Sequence, residues 1–414
     1  MQPLNWTRST CGGGEFEHLF VRLRHGHGSS GRDSLPHRMS FVRLALGDLS
    51  TVRMLRLPVV GAVSIGVLTG LAACDAADQA PVAPQSAVLD HSHLNPIPLS
   101  GEHLHESPVM GRPLRLELSQ DERVLWTVDL VGDPSLHALD LDTGELIVSV
   151  GRRGDGPGDF GAISGLYADF GGGDAVWAWD PTLRRLTRVE PRPLSEQDVL
   201  TLDLRNSSFP VQRIALLDPD RIVGHSMQAE EGRFGILSWD GHLLKAVPPR
   251  PGYLLGPDEG SLELRKRATD AGVVLRGWPS RGFAVANMTA GRIEMFDREA
   301  EFKRLADVPF QSGVVFERLD DGQETIVRDR SWYVDVAVAD ERMFALFSGR
   351  HRDAFSPEEA GAGVYVHVFD WLDGSLLEVF ELDQAAGSIA VSRTGEWLYA
   401  VIPETARIRK YPIP

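Results

Sequence analysis

Six times along this chain a run of alternating apolar residues ends in a bulky side chain followed by an acid or a turn-former. These points are Leu139-Asp140, Val189-Glu190, Trp239-Asp240, Phe296-Asp297, Phe369-Asp370 and Tyr411-Pro412. The first three acids stand fifty residues apart, and the later intervals are 57, 73 and 42. A unit of about 50 residues made of short strands cannot bury its own apolar face, and repeated it predicts a propeller rather than a sandwich or a helical solenoid. Each unit holds a second apolar strand, and five of these six end in Asp129, Asp180, His225, Asn287 or Ser348. Such side chains hydrogen-bond the backbone of the turn that follows.

Between the first two units runs Gly151-Arg152-Arg153-Gly154-Asp155-Gly156-Pro157-Gly158-Asp159-Phe160. Four glycines and a proline forbid both helix and ladder pairing, so this is a tight connector between two antiparallel sheets. The phrase resembles the linker between blades of NHL-type and related bacterial six-bladed β-propellers. NHL repeats also resemble the chain in the acid ending the second strand and in an Arg opening the next, here Arg184 or Arg185, Arg292 and Arg407. The resemblance covers the last three quarters of the chain and implies an all-β, six-bladed β-propeller. The last unit supplies only three strands, Ser388 to Ser392, Trp397 to Ile402 and Arg407 to Tyr411. An unpaired edge would remain, so an N-terminal strand near Leu104 to Met110 is expected to close the last blade.

The N-terminal quarter reads differently. Residues 1–53 lack periodicity and read as an unstructured extension, or as a stretch ahead of a start at Met54. Residues 54–73 read as a lipoprotein signal peptide: Arg56, an uncharged run from Leu57 to Ala73, then Leu71-Ala72-Ala73 before Cys74. That phrase resembles a bacterial lipobox, which implies lipidation of Cys74. A transmembrane anchor is the alternative, but the run is shorter than the ~20 residues a bilayer needs. Residues 74–102 are expected to be a flexible tether, broken by Pro81, Pro84, Pro96 and Pro98, and residues 103–414 the propeller. His91/His93 and His103/His105 fall in or beside this polar stretch; with nothing to fix a geometry, they imply no metal site.

The chain carries a net charge of −16. The first 73 residues hold eight Arg and four acids, so the remainder has 34 basic and 54 acidic side chains, a net of −20. Such a surface repels polyanions, so nucleic acid is not an expected partner, and the membrane is reached only through the lipid. No G-x-S-x-G, H-E-x-x-H, spaced cysteines or phosphate loop occurs, and no cofactor is implied. Ligands are expected on the face that carries the connector, around the channel mouth: Arg152, Arg153, His225, Asn287 and the basic loop with Arg265, Lys266 and Arg267. The leading expectation is a monomeric, lipid-anchored, exported propeller that binds a small ligand or an envelope protein. The alternative is a propeller hydrolase or lyase with a metal or His site at the channel mouth.

Overall fold

The computed structural model describes residues 88–105, 110–133, 135–194, 199–227, 232–248, 272–279, 281–310, 315–319, 322–327 and 330–414. Cys74, the expected extension and signal peptide, and Arg265, Lys266 and Arg267 lie outside the described residues.

Two short strands come first, β1 (Ile97–Leu99) and β2 (Glu102–His105). Blade one comprises β3 (Pro113–Leu118), β4 (Val124–Asp129), β5 (Leu136–Asp140) and β6 (Leu146–Val150). Blade two comprises β7 (Gly165–Ala168), β8 (Val176–Asp180), β9 (Arg185–Val189) and β10 (Thr201–Asp203). Blade three follows with β11 (Arg213–Asp218), β12 (Arg221–His225), β13 (Phe234–Ser238) and β14 (Leu243–Val247). Blade four has β15 (Val273–Trp278), β16 (Gly282–Asn287), β17 (Arg292–Asp297) and β18 (Phe302–Leu305). A hairpin of β19 (Val315–Arg318) and β20 (Glu324–Val327) precedes blade five, which is β21 (Tyr333–Ala339), β22 (Arg342–Phe347), β23 (Gly363–Asp370) and β24 (Leu376–Ala386). Blade six has β25 (Ser388–Val391), β26 (Trp397–Ile402) and β27 (Arg407–Pro412).

The first strands of the blades, β3, β7, β11, β15, β21 and β25, touch in that order, and β25 returns to β3. Six blades therefore close a ring, the propeller that the repeat predicts. The apolar core is divided among the six seams between neighbouring blades. Trp126 and Trp179 are fully buried in two of these seams, and each indole N–H donates to the next blade, to the Asp174 carbonyl at 2.8 Å and the Gln212 carbonyl at 3.2 Å. A buried ring is thus locked by one polar bond, which spares an otherwise costly unpaired donor.

Blade six is completed from the N-terminal side, as the missing strand requires. The closing strand is β2, which overlaps the expected segment at Leu104 and His105; residues 106–109 lie outside the described residues. It runs antiparallel to β27, with Glu102 opposite Lys410 and His103 opposite Arg409. As an outermost strand it buries little, so it carries no apolar alternation to betray it. The tether also differs from expectation. Its described part, residues 88–102, lies on the ring: β1 runs parallel to β24, and Leu99 is buried in the seam between blades five and six. The apolar partners of Leu99 come from blades five and six, far along the chain, and local composition cannot reveal them.

The connector folds back on itself. Phe160 N–H donates to the Arg152 carbonyl at 2.8 Å, and Gly154 N–H to the Phe160 carbonyl at 3.1 Å. The Phe160 ring is buried between blades one and two. Gly158 has φ +76°, and a Cβ there would lie 3.1 Å from Leu194 Cδ1. Gly158→Val is expected to lower stability by ~1–3 kcal/mol, because a β-branched residue is strained at positive φ. Chemical denaturation would measure it; a neutral result would mean that the loop can relax without loss.

Candidate functional site

Strand β3 reads Pro-Leu-Arg-Leu-Glu-Leu. Side chains alternate along a strand, so Leu116 and Leu118 enter the seam with blade six while Arg115 and Glu117 share the other face, toward the channel. Across the channel, β15 presents Arg276. Its guanidinium grips Glu117 bidentately, Nη1 to Oε2 at 2.5 Å and Nη2 to Oε1 at 3.0 Å. Burial pushes the Glu117 carboxyl up, and the Arg276 charge opposes that push. Beside the pair, Tyr167 of β7 donates its hydroxyl to the Ile214 carbonyl at 2.6 Å. Glycine at 277 lets β15 approach β11, since a Cβ there would fall 1.8 Å from the Leu216 carbonyl oxygen.

The bridge of Glu117, Arg276 and Tyr167 divides the channel into two spaces. A funnel of about 320 Å³ opens between the turns that follow the inner strands. Phe170, Trp278 and Pro279 give it apolar walls, Glu122, Asp340 and Arg393 stand among its lining, and the Glu117–Arg276 pair forms its floor. A chamber of about 50 Å³ lies on the other side, toward the starts of the inner strands, lined by Arg115, Arg213, Asp335 and the exposed Ser164 among others.

The connector face is therefore opposite the funnel. There the strand-end residues hold turns, as their chemistry predicts. The buried Asp129 carboxylate accepts from the N–H groups of Gly111, Arg112, Val131 and Gly132 at 2.6–3.1 Å. Burial pushes this carboxyl up, but the four backbone donors together hold it below its ordinary value. Asp180 does the same for Gly161, Ala162, Thr182 and Leu183 at 2.6–3.1 Å. Each carboxylate thus ties the turn after the second strand to the segment leading into its blade. Asn287 Oδ1 accepts from Thr289 and Ala290 N–H at 2.7 and 2.6 Å.

His225 is 1% exposed and packs near Phe234, with ring centroids 5.6 Å apart. Arg152 is exposed and pairs with Asp159 at 3.4 Å. Arg153 braces blade one by donating to the Leu130 carbonyl at 2.8 Å. Arg152 and Arg153 belong to the connector, whereas His225 and Asn287 close blades three and four, so the four do not converge on one point. The channel charges went unrecognised in the sequence, although Arg115 and Glu117 two apart in an apolar strand, and Arg276 in another, are a visible signal.

The model of the family described as TolB-like 6-blade propeller-like matches residues 97–394. No curated protein matches the chain in sequence. Among solved structures, the chain is similar to that of U3-55K at 12% identity and a TM-score of 0.46, covering 76% of this chain and 98% of that one. The RRP9 WD40 repeats give 12%, 0.46, 76% and 97%. The Cps50 (Swd1) β-propeller domain of Myceliophteria thermophila gives 12%, 0.42, 76% and 100%.

Proposed function

Starting from a chain that belongs to the TolB-like six-bladed propeller family, we propose an exported binding module, anchored by lipid at Cys74, that seats a small ligand or a loop of an envelope protein in its funnel. The observation that carries this reading is the funnel itself. Its walls combine apolar and aromatic surface with a few fixed charges, the usual make-up of a recognition pocket. The floor is a bidentate ion pair held between two blades, so the pocket is pre-shaped and a ligand loses little by ordering it. Propellers of this family are typically periplasmic, which accords with Leu71-Ala72-Ala73-Cys74 as an export and lipidation signal.

Two arms test it. A photo-reactive phenylalanine at position 170, inside the funnel, is expected to capture a discrete partner or ligand in cells. The same residue at Leu244, exposed on β14, is expected to capture none. Equal capture from both positions, or none from either, would defeat the reading of the funnel. Cys74→Ala should in parallel move the protein from the membrane fraction to the soluble one; retention on membranes would remove the lipid anchor from the proposal.

A further inference from the structure

The smaller chamber poses a separate question, since it gathers positive charge inside a strongly acidic chain. Three guanidinium groups line it, from Arg115 on β3, Arg213 on β11 and Arg276 on β15. Two carboxylates answer them. Arg276 is taken by Glu117, as described. Asp335 of β21 lies 3.5 Å from Arg115, but its oxygens are already used: Oδ1 accepts from Val336 N–H at 3.0 Å, and Oδ2 from Ile389 N–H at 3.0 Å and from the Ser388 hydroxyl. The Arg213 side chain makes no hydrogen bond or ion pair among the described residues. Burial, and then the charge of Arg115, hold its guanidinium below its ordinary value. An arginine is never relieved by deprotonation at neutral pH, so an unpaired one beside another is a standing cost to the fold.

We propose that this chamber is a binding site for one small oxyanion, a carboxylate or a phosphate, held between Arg115 and Arg213. The volume of about 50 Å³ admits a group of that size and excludes a larger ligand. The planar five-donor fork of arginine matches the paired oxygens of a carboxylate or phosphate. Exposed Ser164 marks the side from which the anion enters. This site lies across the Glu117–Arg276 bridge from the funnel, so it stands or falls independently of the binding reading above. The anion has two possible sources, free in solution or borne on the end of a polypeptide.

The test is thermal melting of the purified protein in chloride at fixed ionic strength, with inorganic phosphate, acetate or a tripeptide with a free C-terminal carboxylate replacing part of the chloride. At saturation the bound anion is expected to raise the melting temperature by roughly 2–4 °C. Arg213→Met should weaken the response about 10–100-fold. In chloride alone it should melt no lower than the wild type, because a repelled charge has been removed. Should that variant fail to fold, Arg115→Met read by the same titration must show the loss. Response to phosphate and acetate alike identifies a free anion, and selective response to the tripeptide identifies a chain end. No response to any of the three, or an equal response in wild type and variants, would overturn the site.

Discussion

A chain that begins at Met110 is expected to fail to close its ring, while one that begins at Val88 melts like the full chain. Strand β2 supplies the outer edge of blade six through its pairing with β27. Gly101, just ahead of it, leaves no room for a side chain: a Cβ would lie 2.6 Å from the Tyr411 ring. Tyr411 in turn donates its hydroxyl to Asp383 at 2.9 Å, and Arg409 pairs with Asp383 at 2.8 Å and donates to the Gly101 carbonyl. One knot of side chains therefore fastens β1, β2, β24 and β27. Removing residues 1–109 takes out β1, β2 and the burial of Leu99, and leaves β27, still paired with β26 on one side, as an open outer edge. An exposed edge of that kind templates association between chains. Globular domains hold only ~5–15 kcal/mol in reserve, and losing two strands and a seam contact consumes most of it. Light scattering and calorimetry would show aggregation and a broadened, lowered transition. A monomeric protein starting at Met110 with an unchanged melt would mean that β2 is ornament and that the seams alone hold the ring.

The six-bladed ring was legible because its signal is repetitive. Each blade writes the same apolar strand and turn-holding side chain, and Asp129, Asp180 and Asn287 make the backbone bonds that their place in the repeat predicts. The need for a closing strand was legible by counting. Its position was legible only in part, overlapping at Leu104 and His105, because β2 is half solvated and reads Glu-His-Leu-His, with no face to bury. The docking of residues 88–99 was illegible for a related reason: their partners lie nearly 300 positions away, on β23 and β24. The channel charges were illegible for another reason. Insertions mark where a ring tolerates variation, whereas the channel is lined by short strands whose charges, Arg115, Glu117, Arg213 and Arg276, had to be seen together in three dimensions to mean anything.

Acid is expected to loosen the N-terminal segment well before the carboxylates titrate. His91 is fully buried against blade five, stacked on Tyr365 at 3.7 Å between ring centroids. Its Nδ1 lies 3.0 Å from the Leu89 carbonyl, which can only accept, so the proton sits there. Its Nε2 must then accept from Nε2 of the buried His367, 3.1 Å away. The remaining nitrogen of His367, Nδ1, accepts from the Tyr333 hydroxyl at 3.0 Å. Every proton in this chain has one place, and both imidazoles are neutral. Burial holds His91 down at about 4, and burial together with His91 holds His367 well below its ordinary value. The nearby charges are few: Asp90 is engaged with Ser92, and Glu381 accepts from Tyr365 at the edge of the cluster. An imidazole with a depressed value in the folded state contributes its full stability above pH 6.5 and loses it as pH falls toward 4. For His91 alone the loss is roughly 2–3 kcal/mol, the lower figure allowing for solvent screening. Melting temperature followed from pH 7.5 to 4.5 should fall mostly between 6.5 and 5, with hydrogen exchange rising first around Leu99. His91→Phe keeps the aromatic stack but removes one of the two titrating imidazoles, so its curve should be flatter over that interval. If wild type and variant fall in parallel, the acid sensitivity belongs to other groups, and residues 88–99 are held by β1 rather than by the histidine pair.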